Sequence, residues 1–325
     1  MHVELRRVDW PFASTFRIAY ESRSHAETVV IELRDGDWVG RGEALGVSYH
    51  GETADSLLAQ LAAIQAQLTR GVSRRELQAL MPPGGARNAI DCALWDLEAK
   101  RAGRRAWELA GIARVRPLRS AYTLSMESPE VMARAAAAAS AYSLLKLKLG
   151  GDADLERVSA VRAVRPDVEI IVDANQAWSE RQLAAFTPRL AELGVRLIEQ
   201  PLPVGQDAML AEFKSLVPLC ADESCQTSES LPSLLGRYEF INIKLDKTGG
   251  LTEALSLARA AAQGGFKLMI GCMAGSSLSM APGFVVGQLG EVVDLDGPLL
   301  SAQDVPDAIQ YHGSQMHAPS AKLWG

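Results

Sequence analysis

Two hydrophobic rhythms divide the chain, and one gives way to the other near Pro117. Before it, "ETVVIEL", an Asp35-Gly36 turn and "DWVGRGEAL" alternate apolar and polar positions as an antiparallel hairpin does, and "MHVELRRVDW" supplies a preceding strand. Helical patterns follow in "TADSLLAQLAAIQAQL", with Thr53 at the N-cap position, and in "ARNAIDCALWDLEAKRAG", closed by Gly103. Gly40, Gly42 and Gly46 lack dinucleotide-fingerprint spacing and read as hairpin glycines. Residues 1–115 are therefore expected to form an α+β capping domain.

From Arg119 onward, short apolar runs alternate with helical stretches. Eight candidate strands lie in "SAYTLS", "LLKLKLG", "VEIIVDAN", "VRLIEQP", "PLCADES", "FINIKLDK", "FKLMIGCM" and "VVDLDGP". Between them lie helical patterns such as "PEVMARAAAAASAY", "LAAFTPRLAEL" and "LTEALSLARAAAQGG". The expectation is an α/β fold: a modified (β/α)8 barrel over 116–304, with the tail at about 305–325 completing the cap. The last crossover, roughly 281–290, reads as too short for a full helix.

Each predicted strand runs from apolar residues into charge. Lys148 ends the second, Asp173 the third, Glu199 the fourth, Asp222 the fifth, Lys244 the sixth, and Asp294 and Asp296 the eighth. The first five of these are 22 to 26 residues apart, one strand-plus-helix unit each. In such a barrel they surround one opening. Three converging carboxylates repel one another unless a hard cation lies among them, and all-oxygen ligation favours Mg²⁺ or Mn²⁺ over Zn²⁺. A metal-held substrate carboxylate would stabilise the enediolate formed when the neighbouring carbon loses its proton. Lys148 and Lys244, on opposite sides of the mouth, could each address one face of that carbon. A free lysine, with a pKa of about 10.4, is a poor base near neutrality, so the site has to depress it. Lys146, on the same face of the strand as Lys148, reads as the neighbour that lowers that pKa and helps to bind the substrate carboxylate. The bland alternative is a strand with two solvated lysines.

Composition narrows the setting. The 325 residues carry a formal net charge of −6 and no apolar run long enough to cross a bilayer, so no membrane role is expected. No basic block marks a nucleic-acid surface. Four scattered cysteines make no disulfide framework, and the charged N-terminus is unlike a signal peptide, which makes the cytoplasm the default compartment. A homo-oligomer is compatible with all of this.

The ordered set "KLKLG", "VDANQAW", "IEQP", "ADES", "NIKLDKTGG" and "DLDGP" resembles the enolase superfamily, muconate-lactonizing subgroup, and within it the dipeptide epimerases of the L-Ala-D/L-Glu type. The resemblance implies Lys148 and Lys244 as acid/base lysines and Asp173, Glu199 and Asp222 as metal ligands. It also implies Asp294 and Asp296 as the clamp for the α-ammonium of a small-molecule dipeptide, and Arg23, on a mobile loop before the first cap strand, as the reader of a glutamate side chain. Arg17 competes for that last role. Other subgroup activities, namely o-succinylbenzoate synthase, muconate cycloisomerase and N-succinylamino acid racemase, share the lysines and the metal. Their substrates carry no free ammonium and give Asp294 and Asp296 nothing to hold. A non-catalytic barrel would need neither the lysines nor the acids. Asp246 and Lys247 are expected to form structural ion pairs below the site.

Overall fold

The structure, a computed structural model, describes residues 1–325. The alternating N-terminal segment forms three antiparallel strands, β1 (His2–Ile18), β2 (Glu21–Asp35) and β3 (Trp38–Leu45), in the order β1-β2-β3. The predicted "TADSLLAQLAAIQAQL" helix breaks at Ile64 into α1 (Ala54–Ala63) and α2 (Gln65–Arg70), and α3 (Arg74–Leu80) follows. Thr53 and Ser56 form a capping box at the start of α1. The long helix α4 (Gly85–Ala102) lies across the sheet and stops at Gly103 in the left-handed conformation. Gly40 and Gly42 lie in the hairpin, as expected, within its second strand β3, where a Cβ would run into the carbonyl oxygens of Ala93 and Ala89. Only glycine lets α4 rest that close on the strand.

After the short strand β4 (Leu118–Arg119), eight parallel strands form one sheet: β5 (Tyr122–Leu124), β6 (Leu144–Lys148), β7 (Glu169–Asp173), β8 (Val195–Glu199), β9 (Leu219–Ala221), β10 (Phe240–Ile243), β11 (Lys267–Gly271) and β12 (Val292–Asp294). A parallel bridge from Ser120 to Val293 brings the first and last strands together and nearly closes the barrel. All eight strands match the predicted runs. The crossovers differ from expectation. The last one carries a full helix, Ser277–Gly287, while the connections leaving β8 and β9 have only short helical turns, Ala208–Ala211, Ser228–Ser230 and Leu231–Leu234. That last helix is buried nearly all round and contains Pro282, so it shows no amphipathic period.

The C-terminal tail returns to the cap. Trp324 Nε1 donates to the Cys92 carbonyl at 3.1 Å, Gly325 N to Asp96 at 2.7 Å, and Arg41 to the carbonyls of Lys322 and Leu323. The cap is tied to the barrel mouth by Asp246, which accepts from Leu45 N (3.1 Å) and Asn88 Nδ2 (2.9 Å), and by a Glu43–Ser276 hydrogen bond.

Candidate active site

The pleat of the barrel strands builds the site in layers, because side chains two residues apart on a strand face the same way. The lowest inward ring is apolar and takes one residue from each strand or its edge: Ala121, Leu144, Ile171, Leu197, Cys220, Phe240, Met269 and Val292. Two residues further along each segment, the ring is Thr123, Lys146, Asp173, Glu199, Asp222, Asn242, Gly271 and Asp294. Two further again come Lys148, Asn175, Lys244 and Asp296. The apolar ring is thus a floor, and the charged groups stand directly on it. Gly271 is where the second ring needs space, since a Cβ there would lie 2.6 Å from Asn242 Oδ1.

The predicted acids and lysines all meet in this mouth. One oxygen each from Asp173, Glu199 and Asp222 lies within 4.8 Å of the others, and all three residues are buried. Lys148 Nζ bonds Asp173 at 2.7 Å and Asn175 at 3.2 Å, while Lys244 Nζ bonds Asp222 at 2.6 Å. Lys148, on β6, and Lys244, just after β10, are separated by three strands in either direction around the sheet, and so face each other across the opening. By the same order β12, with Asp294 and Asp296 at its end, is opposite β8 with Glu199. A substrate stretched between the acid triad and this aspartate pair passes between the two lysines.

Lys146 is not simply a neighbour of Lys148. Its ammonium contacts Glu199 (2.7 Å), Asp294 (2.8 Å) and Asp173 (3.2 Å), and although burial works to lower its pKa, those carboxylates hold it well above the ordinary lysine value. Lys244 shows the same balance: burial lowers it, but Asp222 and Glu199 outweigh burial and raise it well above normal. For Lys244, one of the two expected acid/base lysines, these carboxylates work against the depression that the sequence reading asks for. The acids explain it, because six buried carboxyl groups (Asp173, Glu199, Asp222, Glu223, Asp294, Asp296) face only four buried lysines (Lys146, Lys148, Lys244, Lys247). Burial and the neighbouring Asp173 push Glu199 up to about 7, and burial with Asp294 pushes Asp296 up to about 7. Glu199 Oε2, 2.7 Å from Lys146 Nζ, is buried yet accepts no well-aligned hydrogen bond. An all-oxygen triad in a buried site where carboxyls outnumber lysines is the donor set that a divalent cation takes.

Several groups here were not singled out from sequence. Asn242 Nδ2 holds Glu199 Oε1 at 2.7 Å, and its position two residues before Lys244 could have revealed it. Lys247 forms the expected ion pair, and its partner is Asp222 of the triad itself, at 2.6 Å from Oδ1; Asp246 makes no ion pair and serves as the cap anchor instead. Thr123 N donates to Asp296 at 2.6 Å. Arg23 is not on a loop before a strand but within β2, where it lines the cavity beside Phe16, Ile18, Tyr20 and Glu21. Arg17 points to the other side of the ribbon and pairs with Glu127 outside this cavity.

Comparison with known proteins agrees with this geometry. Residues 1–111 match the mandelate racemase/muconate lactonizing enzyme N-terminal domain, and residues 130–322 match the enolase C-terminal domain-like model. The chain belongs to this family of the enolase superfamily. It is 44% identical over 310 residues to the L-Ala-D/L-Glu epimerase of Escherichia coli (strain K12), covering 95% of this chain and 97% of that one. It is 42% identical over 299 residues to an N-acetyl-D-glutamate racemase of Pseudoalteromonas sp, covering 91% and 95%. Among solved structures, an enolase family member from Agrobacterium tumefaciens with homology to dipeptide epimerases, holding sodium and L-Ala-L-Glu with an ordered loop, superposes with a TM-score of 0.97 at 44% identity over 99% of both chains. The strand-end acids and lysines of this family member thus stand on a backbone that in its relative holds a cation and a dipeptide.

Proposed function

We propose that the protein is a dipeptide epimerase that inverts the α-carbon of the C-terminal residue of L-Ala-D/L-Glu with Mg²⁺ bound. The observation that carries this reading is the cross of functional groups at the barrel mouth: acids opposite acids, lysine opposite lysine. Asp173, Glu199 and Asp222 would hold Mg²⁺, with Mn²⁺ as a substitute, and the ion would bind the substrate carboxylate and stabilise the enediolate form of the deprotonated substrate. Asp294 and Asp296, on the far side, hold the α-ammonium through charge-assisted hydrogen bonds. The α-carbon is then pinned between Lys148 and Lys244. One amine takes the proton from one face while the opposite ammonium delivers a proton to the other, and the reverse reaction exchanges the roles. Lys146, bonded to both Glu199 and Asp294, stands between the acid triad and the aspartate pair, where its charge helps to orient the substrate carboxylate. Arg23 faces the cavity with a planar fork suited to a side-chain carboxylate. The cap, residues 1–115 with the tail 305–325, closes over the barrel of 116–304. Cytoplasmic turnover of murein peptides is the setting that such a substrate implies.

Incubation with Mg²⁺ and a dipeptide library in D₂O tests the reading: exchange at the α-carbon of L-Ala-L-Glu, read as a single-deuterium mass gain with loss of optical purity, is expected. A protein that exchanges no dipeptide contradicts it. The 42% identity to an N-acetyl-D-glutamate racemase favours one second reading, an acylated amino acid in place of the free dipeptide. Asp294 and Asp296 separate the two. Asp296→Asn is expected to lower kcat/KM for L-Ala-L-Glu about tenfold or more, the scale of one charged hydrogen bond, and to spare N-acetyl-L-glutamate.

A further inference from the structure

The face of the β1–β2 ribbon that covers the cavity carries a charged pair. Arg23 Nε donates to Glu21 Oε1 at 2.5 Å, and both side chains are about 30% exposed at the cavity wall. The two residues are two apart on β2, so they share the cavity face with Phe16 and Ile18 of β1, which pair with Arg23 and Glu21 respectively. Only the Nε edge of the guanidinium is engaged; its Nη1 and Nη2 groups make no hydrogen bond within the protein. A guanidinium binds a carboxylate best through two parallel N–H donors, and a long flexible side chain loses part of that gain in being held still.

We infer that Glu21 is a positioning residue for Arg23: it pins Nε and leaves the Nη edge turned to the side-chain carboxylate of the substrate's C-terminal residue. This rests on the dipeptide reading and deepens it, because it makes selectivity for acidic side chains a property of the Glu21–Arg23 pair rather than of Arg23 alone. Glu21 touches no reacting atom. Its loss therefore acts on the binding of one substrate class and leaves the proton transfer alone.

The test uses the full-length protein with Mg²⁺ and the near-isosteric pair L-Ala-L-Glu and L-Ala-L-Gln, measuring KM and kcat for wild type, Glu21→Ala and Glu21→Gln. Glu21→Ala is expected to raise KM for L-Ala-L-Glu about threefold to fivefold, the scale of a half-exposed charged pair, with kcat unchanged and L-Ala-L-Gln unaffected. Glu21→Gln keeps a carbonyl oxygen that accepts from Nε and is expected to restore the wild-type KM. A lowered KM for L-Ala-L-Glu in Glu21→Ala would show that Glu21 competes with the substrate and would overturn the inference. Equal losses on both peptides, or a Glu21→Gln variant as impaired as Glu21→Ala, would overturn it as well. Wild-type protein inactive on both peptides would sink the dipeptide reading and this inference together, whereas an active wild type with unchanged selectivity in both variants sinks the inference alone.

Discussion

Glu199 sits at the centre of the acid row, between Asp173 and Asp222, and its two oxygens have different partners. Oε1 is fixed by Asn242 at 2.7 Å, which leaves Oε2 turned toward Lys146. A ligand whose second oxygen is held in place coordinates better than one free to rotate. Asn242→Ala is accordingly expected to weaken Mg²⁺ binding about 10- to 100-fold and to recover most of its kcat at saturating metal, as an activity titration against Mg²⁺ would show. The acids and lysines were legible in the sequence because each follows an apolar run at a strand end with regular spacing. Asn242 and Thr123 were not, and Lys247 was read as an ion-pair residue without its partner, because these roles depend on which neighbouring strand each residue reaches, and only the barrel closure supplies that. Arg23 was found by resemblance, but its place within a strand, and hence its pairing with Glu21, depends on how far the β1–β2 ribbon extends.

At the scale of elements, the cap ribbon and the barrel meet at a few close contacts. The tip of the ribbon, at Ala19, rests on Gly150 in the loop that follows the lysine strand β6, and a Cβ on Gly150 would collide with the Ala19 side chain. Gly150→Ala, at a φ of +157° that a side chain rarely adopts, is expected to lift the tip, raise KM several-fold and lower the melting temperature, as kinetics and calorimetry together would detect. The second contact, Asp246 with Leu45 and Asn88, is sensitive to pH. Burial raises the Asp246 carboxyl from 3.8 to about 7, against the lowering effect of its two hydrogen bonds. A carboxyl whose folded pKa lies above its unfolded one stabilises the fold fully below the unfolded value, and that stabilisation is lost as pH rises through about 7. Asp246→Asn keeps the acceptor oxygen and removes the titration, so its melting temperature is expected to fall less than that of wild type between about pH 5 and 8. Element boundaries were readable where the period was clean. The helix Ser277–Gly287 was missed because a helix buried on every side has no polar face to mark its period.

For the whole molecule, strand order matters more than any single contact. Eight parallel strands place β6 and β10 half a turn apart, and β8 and β12 on the perpendicular diameter, so a chain that merely alternates strands and helices produces two crossed axes of charge. No helix is long and apolar enough to cross a membrane. The central claim is that Lys148 and Lys244 serve opposite faces of one carbon. Its most direct test is α-proton exchange in D₂O, with Mg²⁺, for Lys148→Ala and Lys244→Ala, each given L-Ala-L-Glu and L-Ala-D-Glu separately. Interconversion is expected to fall at least about 10³-fold in both variants, while each still exchanges the α-hydrogen of one epimer, a different one in each case. Near-normal interconversion in either variant, or loss of exchange from the same epimer in both, would contradict the account.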